Sequence, residues 1–183
     1  MSSCTGPVAL QLVMMVEVEL AAVKVDVESR TPVILLQERE GRRRVLPIFI
    51  GPSEAQAIAL AVQGVVPPRP MTHDLMRDLL DALDASLERV VVTELIDRTY
   101  YAELHLRIGG RSLRVSSRPS DAVALAVRTG SPIFVADDLL DAEGVVLREI
   151  LDEPEPEEEQ DEEAIVGDFV KFLDSVSPED FRV

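Results

Sequence analysis

The chain has 183 residues, a net charge of −16, a single cysteine, no tryptophan and 4% aromatic residues. That length suits one domain of ordinary size with a core of Val, Leu, Ile and Ala, and is cramped for two. One cysteine excludes an internal disulfide and points to a reducing compartment, while the acidity argues against tight, nonspecific binding of nucleic acid and leaves room for a local basic patch.

The charge is unevenly placed. Residues 1–150 carry 21 acidic and 16 basic side chains, and residues 151–183 carry 13 and 2. The apolar stretch at 7–16 is too short to span a bilayer and lacks the basic flank of a secretory signal, so a cytoplasmic location with no membrane contact is expected. Residues 1–15 read as an extension, with Cys4 a plain terminal residue.

Residues 16–27 alternate apolar and polar side chains, the mark of a strand, and the apolar phase shifts at Ala21-Ala22, which predicts a bulge or a change of sheet face. Residues 33–37 and 45–50 flank a polar, glycine-containing segment and read as a hairpin. Its arginines, Arg42, Arg43 and Arg44, form the clearest basic run; they either steer an anion or are ordinary solvated turn charges. Gly51-Pro52-Ser53-Glu54 then starts a helix, with Pro at the first position and an acid in the first turn. Ala55, Ile58, Ala59 and Val62 are its expected apolar stripe, and Gly64 ends it.

After a proline-rich loop, Thr72 reads as the N-cap of a second helix with a buried stripe of Met76, Leu79, Leu80 and Leu83. Residues 90–96 and 100–108 predict strands joined at Asp97-Arg98-Thr99, and Gly109-Gly110 turns into a third at 112–117. Arg118-Pro119-Ser120-Asp121 opens another helix that stops near Gly130, and 132–135 is a short closing strand. Pro-Ser-acid-Ala occurs at 52–55 and again at 119–122, each time after a hairpin and before an Ala-rich helix. The fold class is therefore α+β, a mixed, mostly antiparallel sheet system with packed helices and an internal duplication of a hairpin–Pro-Ser-acid–helix unit. The domain is expected over 16–151, then an acidic, extended linker at 152–163 and an amphipathic helix and tail at 164–183.

Residues 46–55 (LPIFIGPSEA), 69–75 (RPMTHDL) and 118–126 (RPSDAVALA), in that order and spacing, resemble the bifunctional nuclease family, and residues 172–181 (FLDSVSPEDF) are similar to its C-terminal ending. The resemblance covers about residues 16–150 and implies cleavage of RNA and DNA. Where members of that family carry Asp two residues ahead of the Arg-Pro-Ser-Asp motif, this chain has Ser116.

Phosphodiester hydrolysis needs an activated water, charge neutralised on the phosphate and usually a metal such as Mg²⁺ or Mn²⁺. His73 and Asp74 offer a base or ligand pair beside Arg69 as a phosphate clamp; the plainer role of both is helix-start chemistry. Glu54 and Asp121 offer a carboxylate pair for a divalent cation if their helix starts face one another, or first-turn acids that stabilise each helix. Arg118 either clamps a phosphate or pairs internally with Asp121 or Glu54. His105 faces the polar side of its strand, where a cross-strand surface role is expected. No zinc-spaced Cys/His cluster or phosphate-binding glycine loop is present, and Tyr100 and Tyr101 are too few to propose a base-stacking platform. Two functions stand at this stage: a metal-assisted nuclease, or a non-catalytic, homodimeric binding or regulatory module.

Overall fold

In the computed structural model the chain divides into two units, residues 1–147 and 148–183. The structure describes residues 14–27 and 29–146, all within the first. The expected acidic linker and the amphipathic helix after it lie outside the described residues.

The described part is a mixed α+β fold. β1 (Met15–Val25), β2 (Pro32–Glu38) and β3 (Arg44–Phe49) form an antiparallel meander. The phase change at Ala21-Ala22 is a register shift between Leu20 and Ala22, which turns the next side chains to the other face. α1 (Pro52–Val62) and α2 (Thr72–Ala82) follow, then β4 (Ala85–Ile96), β5 (Thr99–Ile108), β6 (Arg111–Ser117) and α3 (Pro119–Thr129). The chain goes on through β7 (Ile133–Ala136), α4 (Asp137–Glu143) and β8 (Val145–Val146). All eight strands join one sheet in the order β6-β5-β4-β7-β1-β2-β3-β8, antiparallel throughout except between β4 and β7.

Asp97 and Arg98 both have positive φ (47° and 64°), so the β4–β5 connection is a tight two-residue turn whose twist matches the strands. β4 begins at Ala85, five residues before the expected 90, because buried Ala85 and Leu87 alternate again on the far side of a register shift between Leu87 and Arg89. Neither α4 nor β8 was anticipated; both are too short for a periodic signal.

One face of the sheet packs on α3, where five successive residues, 122–126, are all buried. Its small side chains let α1 and α2 lie close against it, with α1 also over β1 and β2 and α2 over β4. Ile34, Leu36, Leu46, Ile58, Val90, Val92 and Leu125 are essentially sealed from solvent. Each such side chain contributes about 1.5–3 kcal/mol, so this layer is the main source of stability.

Two expected stripes differ in the structure. In α1 the buried residues are Ala57 and Ile58, and Val62 is exposed. In α2, Leu79 and Leu83 are exposed and His73 is the buried residue. The other members of each stripe hold: Ile58 is in the core, and Ala55, Met76 and Leu80 are half-buried against it. Thr72 is not the N-cap of α2: Met71 is, and its backbone N–H donates to Asp74 Oδ2 at 3.0 Å.

The arginine run divides: Arg42 and Arg43 are solvated turn residues, whereas Arg44 is buried. Arg44 is 6% exposed and donates to Glu38 Oε1 (2.7 Å), Asp137 Oδ1 (2.8 Å) and Asp141 Oδ1 (2.5 Å), while Arg42 also pairs with Asp141 (2.7 Å). One guanidinium thus ties α4 to the β2–β3 hairpin. No described helix is long and apolar enough to cross a membrane.

Candidate functional site

The first turns of α1, α2 and α3 converge. Pro52 and Pro119 occupy the first helical positions, where a missing N–H costs nothing, so Glu54 and Asp121 take the third position with their carboxylates beside the helix openings. Gly51 matters here. A Cβ at that position would run into Glu54 Oε2, so the absent side chain lets the carboxylate fold back over its own helix end.

Arg118, the N-cap residue of α3, joins these pieces. Its Nε and Nη2 donate to Asp121 Oδ2 (2.8 Å) and Oδ1 (3.1 Å), a two-point grip, and its Nη1 donates to Glu54 Oε1 at 3.0 Å. From α2, His73 Nε2 lies 3.1 Å from Asp121 Oδ1. The side chains of His73, Glu54 and Asp121 are 9%, 19% and 25% exposed, whereas Arg118 is 65% exposed.

The electrostatics follow from this geometry. Burial alone would raise the Asp121 pKa, but the Arg118 and His73 hydrogen bonds outweigh it and hold the carboxyl below its ordinary value. Glu54 is lowered chiefly by its own backbone N–H and then by Arg118, and Arg118 is raised chiefly by Asp121. An ionised Asp121 only accepts hydrogen bonds, so the His73 proton sits on Nε2.

Four of the six residues singled out from the sequence therefore meet: Glu54, His73, Arg118 and Asp121. Asp74 is engaged elsewhere. Its Oδ1 accepts from Arg128 Nε at 2.6 Å, and Arg128, 5% exposed, also donates to the Ala124 and Ala57 carbonyls at 2.9 and 3.0 Å. That arginine links α1, α2 and α3 from inside, and its hydrogen bond is the main reason the Asp74 pKa is lowered. Arg69 is exposed and has no hydrogen bond or ion pair among the described residues.

Beside the cluster lies a cleft of ≈ 260 Å³ whose wall includes Phe49, Glu54, Arg98, Tyr100 and Arg118. Phe49 is 58% exposed, and Arg98 stands on the tight β4–β5 turn without a hydrogen-bond or ion-pair partner among the described residues. The sequence offered no signal for this cleft, because Phe49 belongs to a core-like strand and Arg98 to a turn some fifty residues later.

The donor set does not suit a divalent cation as it stands. Both carboxylates are turned onto the Arg118 guanidinium, and among the described residues no group of three His, Cys, Asp or Glu side chains is arranged to hold a metal. Ser116 is exposed on β6 opposite Glu103, while its neighbour Val115 pairs with core-facing Leu104. It therefore faces away from α3, and an Asp there would not reach the His73 cluster. On that same face His105 is 13% exposed, with Nε2 3.2 Å from Glu103 and Nδ1 accepting from Arg89 at 3.3 Å. Burial is the main cause that lowers its pKa.

The family description "Bifunctional nuclease domain" matches residues 34–148. The chain is similar to an uncharacterized protein of Mycobacterium tuberculosis, 47% identical over 166 residues that span 91% of this chain and 98% of the relative. It is also similar to bifunctional nuclease 2 of Arabidopsis thaliana, 32% identical over 115 residues (61% of this chain, 35% of the plant protein). Bifunctional nuclease 2 of Oryza sativa subsp. japonica is 29% identical over 117 residues, 62% of this chain and 36% of the rice protein.

Proposed function

The chain belongs to the bifunctional nuclease domain family, and on that premise we propose that it hydrolyses phosphodiester bonds of RNA, DNA or both in the cleft beside Arg118. The observation that carries this reading is one exposed guanidinium, fixed by the first-turn carboxylates of two helices, at the edge of a cleft that also offers the exposed Arg98 and the exposed ring of Phe49. A phosphate fits the two arginines, and a base fits the aromatic wall of Phe49 and Tyr100.

Roles follow from what reaches the cleft. Arg118 and Arg98 neutralise the phosphate, and charge developing on its oxygens is held by donors already in place. Glu54, ionised and lining the cleft, orients a water. That water adds to phosphorus as the P–O ester bond breaks; its proton passes by way of Glu54 to solvent, and the departing oxygen takes a proton from solvent. Asp121 and His73 stand behind Arg118 and act as positioning residues, and Asp74 positions α2 through Arg128. With both carboxylates committed to Arg118, the positive charge comes from arginine rather than from Mg²⁺ or Mn²⁺. The matching openings of α1 and α3, each after a hairpin, support reading the two units as copies of one duplicated element.

The test is cleavage of single-stranded RNA and DNA oligonucleotides by the purified chain, with Mg²⁺, Mn²⁺ or chelator. Arg118→Met is expected to lower kcat by about 10²–10³-fold. His73→Gln, which still donates to Asp121, is expected to retain most activity with an unchanged pH profile between about pH 5 and 8. A rate limb in that range that disappears in His73→Gln would make His73 the base instead. A strict requirement for Mg²⁺ or Mn²⁺ would overturn the role of the carboxylates as arginine partners, and no cleavage under any condition would leave a non-catalytic binding module.

A further inference from the structure

Strand β6 ends the sheet, pairs only with β5 among the described residues, and presents its other edge to solvent. Six of its seven residues are exposed, and its register against β5 runs without a shift from Arg111 to Ser117. It has no proline, lysine or bulge to blunt the edge. Leu113 and Val115, opposite core-facing Leu106 and Leu104, carry the apolar row of the sheet past its covered part and remain 46% and 43% exposed.

The sequence of this edge is close to its own reverse: Ser112-Leu113-Arg114-Val115-Ser116. An antiparallel pair related by a two-fold axis through Arg114 sets Leu113 opposite Val115 of the partner subunit and Ser112 opposite Ser116 of the partner subunit. Apolar meets apolar on the face that carries the core, and hydroxyl meets hydroxyl on the other. We propose that β6 is the interface of a homodimer, in which two copies pair edge to edge about Arg114 and continue one sheet across both protomers. This stands apart from the nuclease reading, since the cleft lies at Arg118 and not on this edge.

The register has one unfavourable contact, and it makes the proposal specific. Arg114 faces itself across the axis, so repulsion opposes association and salt screens it. Dimerisation should strengthen as ionic strength rises, the reverse of an interface held by ion pairs. A seven-residue strand pair is small beside standard interfaces, so a dissociation constant in the micromolar range is expected.

Sedimentation velocity on the full chain from about 1 to 100 µM reads this directly. Wild type should be a dimer that tightens with salt, and Arg114→Thr should tighten it by about two- to fivefold. Leu113→Lys with Val115→Lys should give a monomer with an unchanged circular dichroism spectrum, because both side chains already tolerate solvent. In a Cys4→Ser background, Arg114→Cys should cross-link two chains under mild oxidation, since directly opposed residues of an antiparallel pair lie within disulfide reach. Ser112→Cys, which faces position 116, should not. A wild-type monomer at 100 µM, a dimer indifferent to the lysine pair, or equal cross-linking from positions 112 and 114 overturns the proposal.

Discussion

Arg128 offers the sharpest test of how the three helices are held together. Its side chain is 5% exposed and its partner Asp74 is 14% exposed, and it donates to Asp74, Ala124 and Ala57, one partner on each of α2, α3 and α1. Arg128→Met keeps the aliphatic stem and removes the charge. The Asp74 carboxylate is then left nearly buried without its cation, and the Ala57 carbonyl loses its second donor. Losing one partner of a buried pair costs about 3–5 kcal/mol, which for a domain of this size lowers the melting temperature by about 10–20 °C. Asp74→Asn should cost less, about 1–3 kcal/mol, because an amide oxygen still accepts from Arg128 while the Met71 N–H loses its acceptor. Urea denaturation followed by circular dichroism measures both, and the double variant should cost less than the sum of the two because they share one interaction. A loss below about 1 kcal/mol for Arg128→Met, or strict additivity, would refute the tie. Catalysis supplies a second readout: at a temperature where it is folded, Asp74→Asn should cleave at nearly the wild-type rate.

Acid should destabilise the domain. Arg44, Arg128 and Arg118 hold Glu38, Asp74 and Asp121 below their ordinary pKa values. A depressed folded-state pKa means stability that is complete above the unfolded value and is lost as pH falls through the folded one, so the decline should start near pH 4 and continue below it. Chemical denaturation between about pH 2 and 7 checks this, and a stability independent of pH below about 4 would contradict it. Arg44→Met should cost about 3–5 kcal/mol by leaving Glu38, 5% exposed, without its cation; a chain that unfolds at the wild-type urea midpoint would show the pair to be dispensable. Gly51→Ala should displace the Glu54 carboxylate at little expense in stability, since φ at Gly51 is an ordinary −76°. Cleavage should fall while the urea midpoint stays within about 0.5 kcal/mol of wild type, and unchanged cleavage would remove Glu54 from the reaction.

Local chemistry made much of this fold legible. Alternation marked β1, a polar, glycine-containing segment between apolar runs marked the β2–β3 hairpin, and Pro-Ser-acid marked the starts of α1 and α3, because each signal acts within a few residues of where it is read. The stripes of α1 and α2 were right for Ile58, Met76 and Leu80 and wrong for Val62, Leu79 and Leu83. Leu79 and Val62 have the right spacing for a buried face, but α3 lies elsewhere, and periodicity says which side chains share a face and not which face meets the core. Arg44 shows the same limit. In a run of three arginines on a hairpin nothing local tells that one is buried, since its carboxylates at 137 and 141 come from a helix nearly a hundred residues away.

The candidate residues divide along that line. By itself the sequence determined that acids and prolines open the helices, that the described chain builds a mixed sheet covered by helices, and which family it belongs to. Tertiary structure alone decided which distant groups meet: Asp121 with His73, Arg118 with Glu54, Asp74 with Arg128, Arg98 and Phe49 across a cleft. Charge–charge and hydrogen-bond energies fall off over a few ångströms, and those distances exist only after segments distant in the chain have packed on the same sheet.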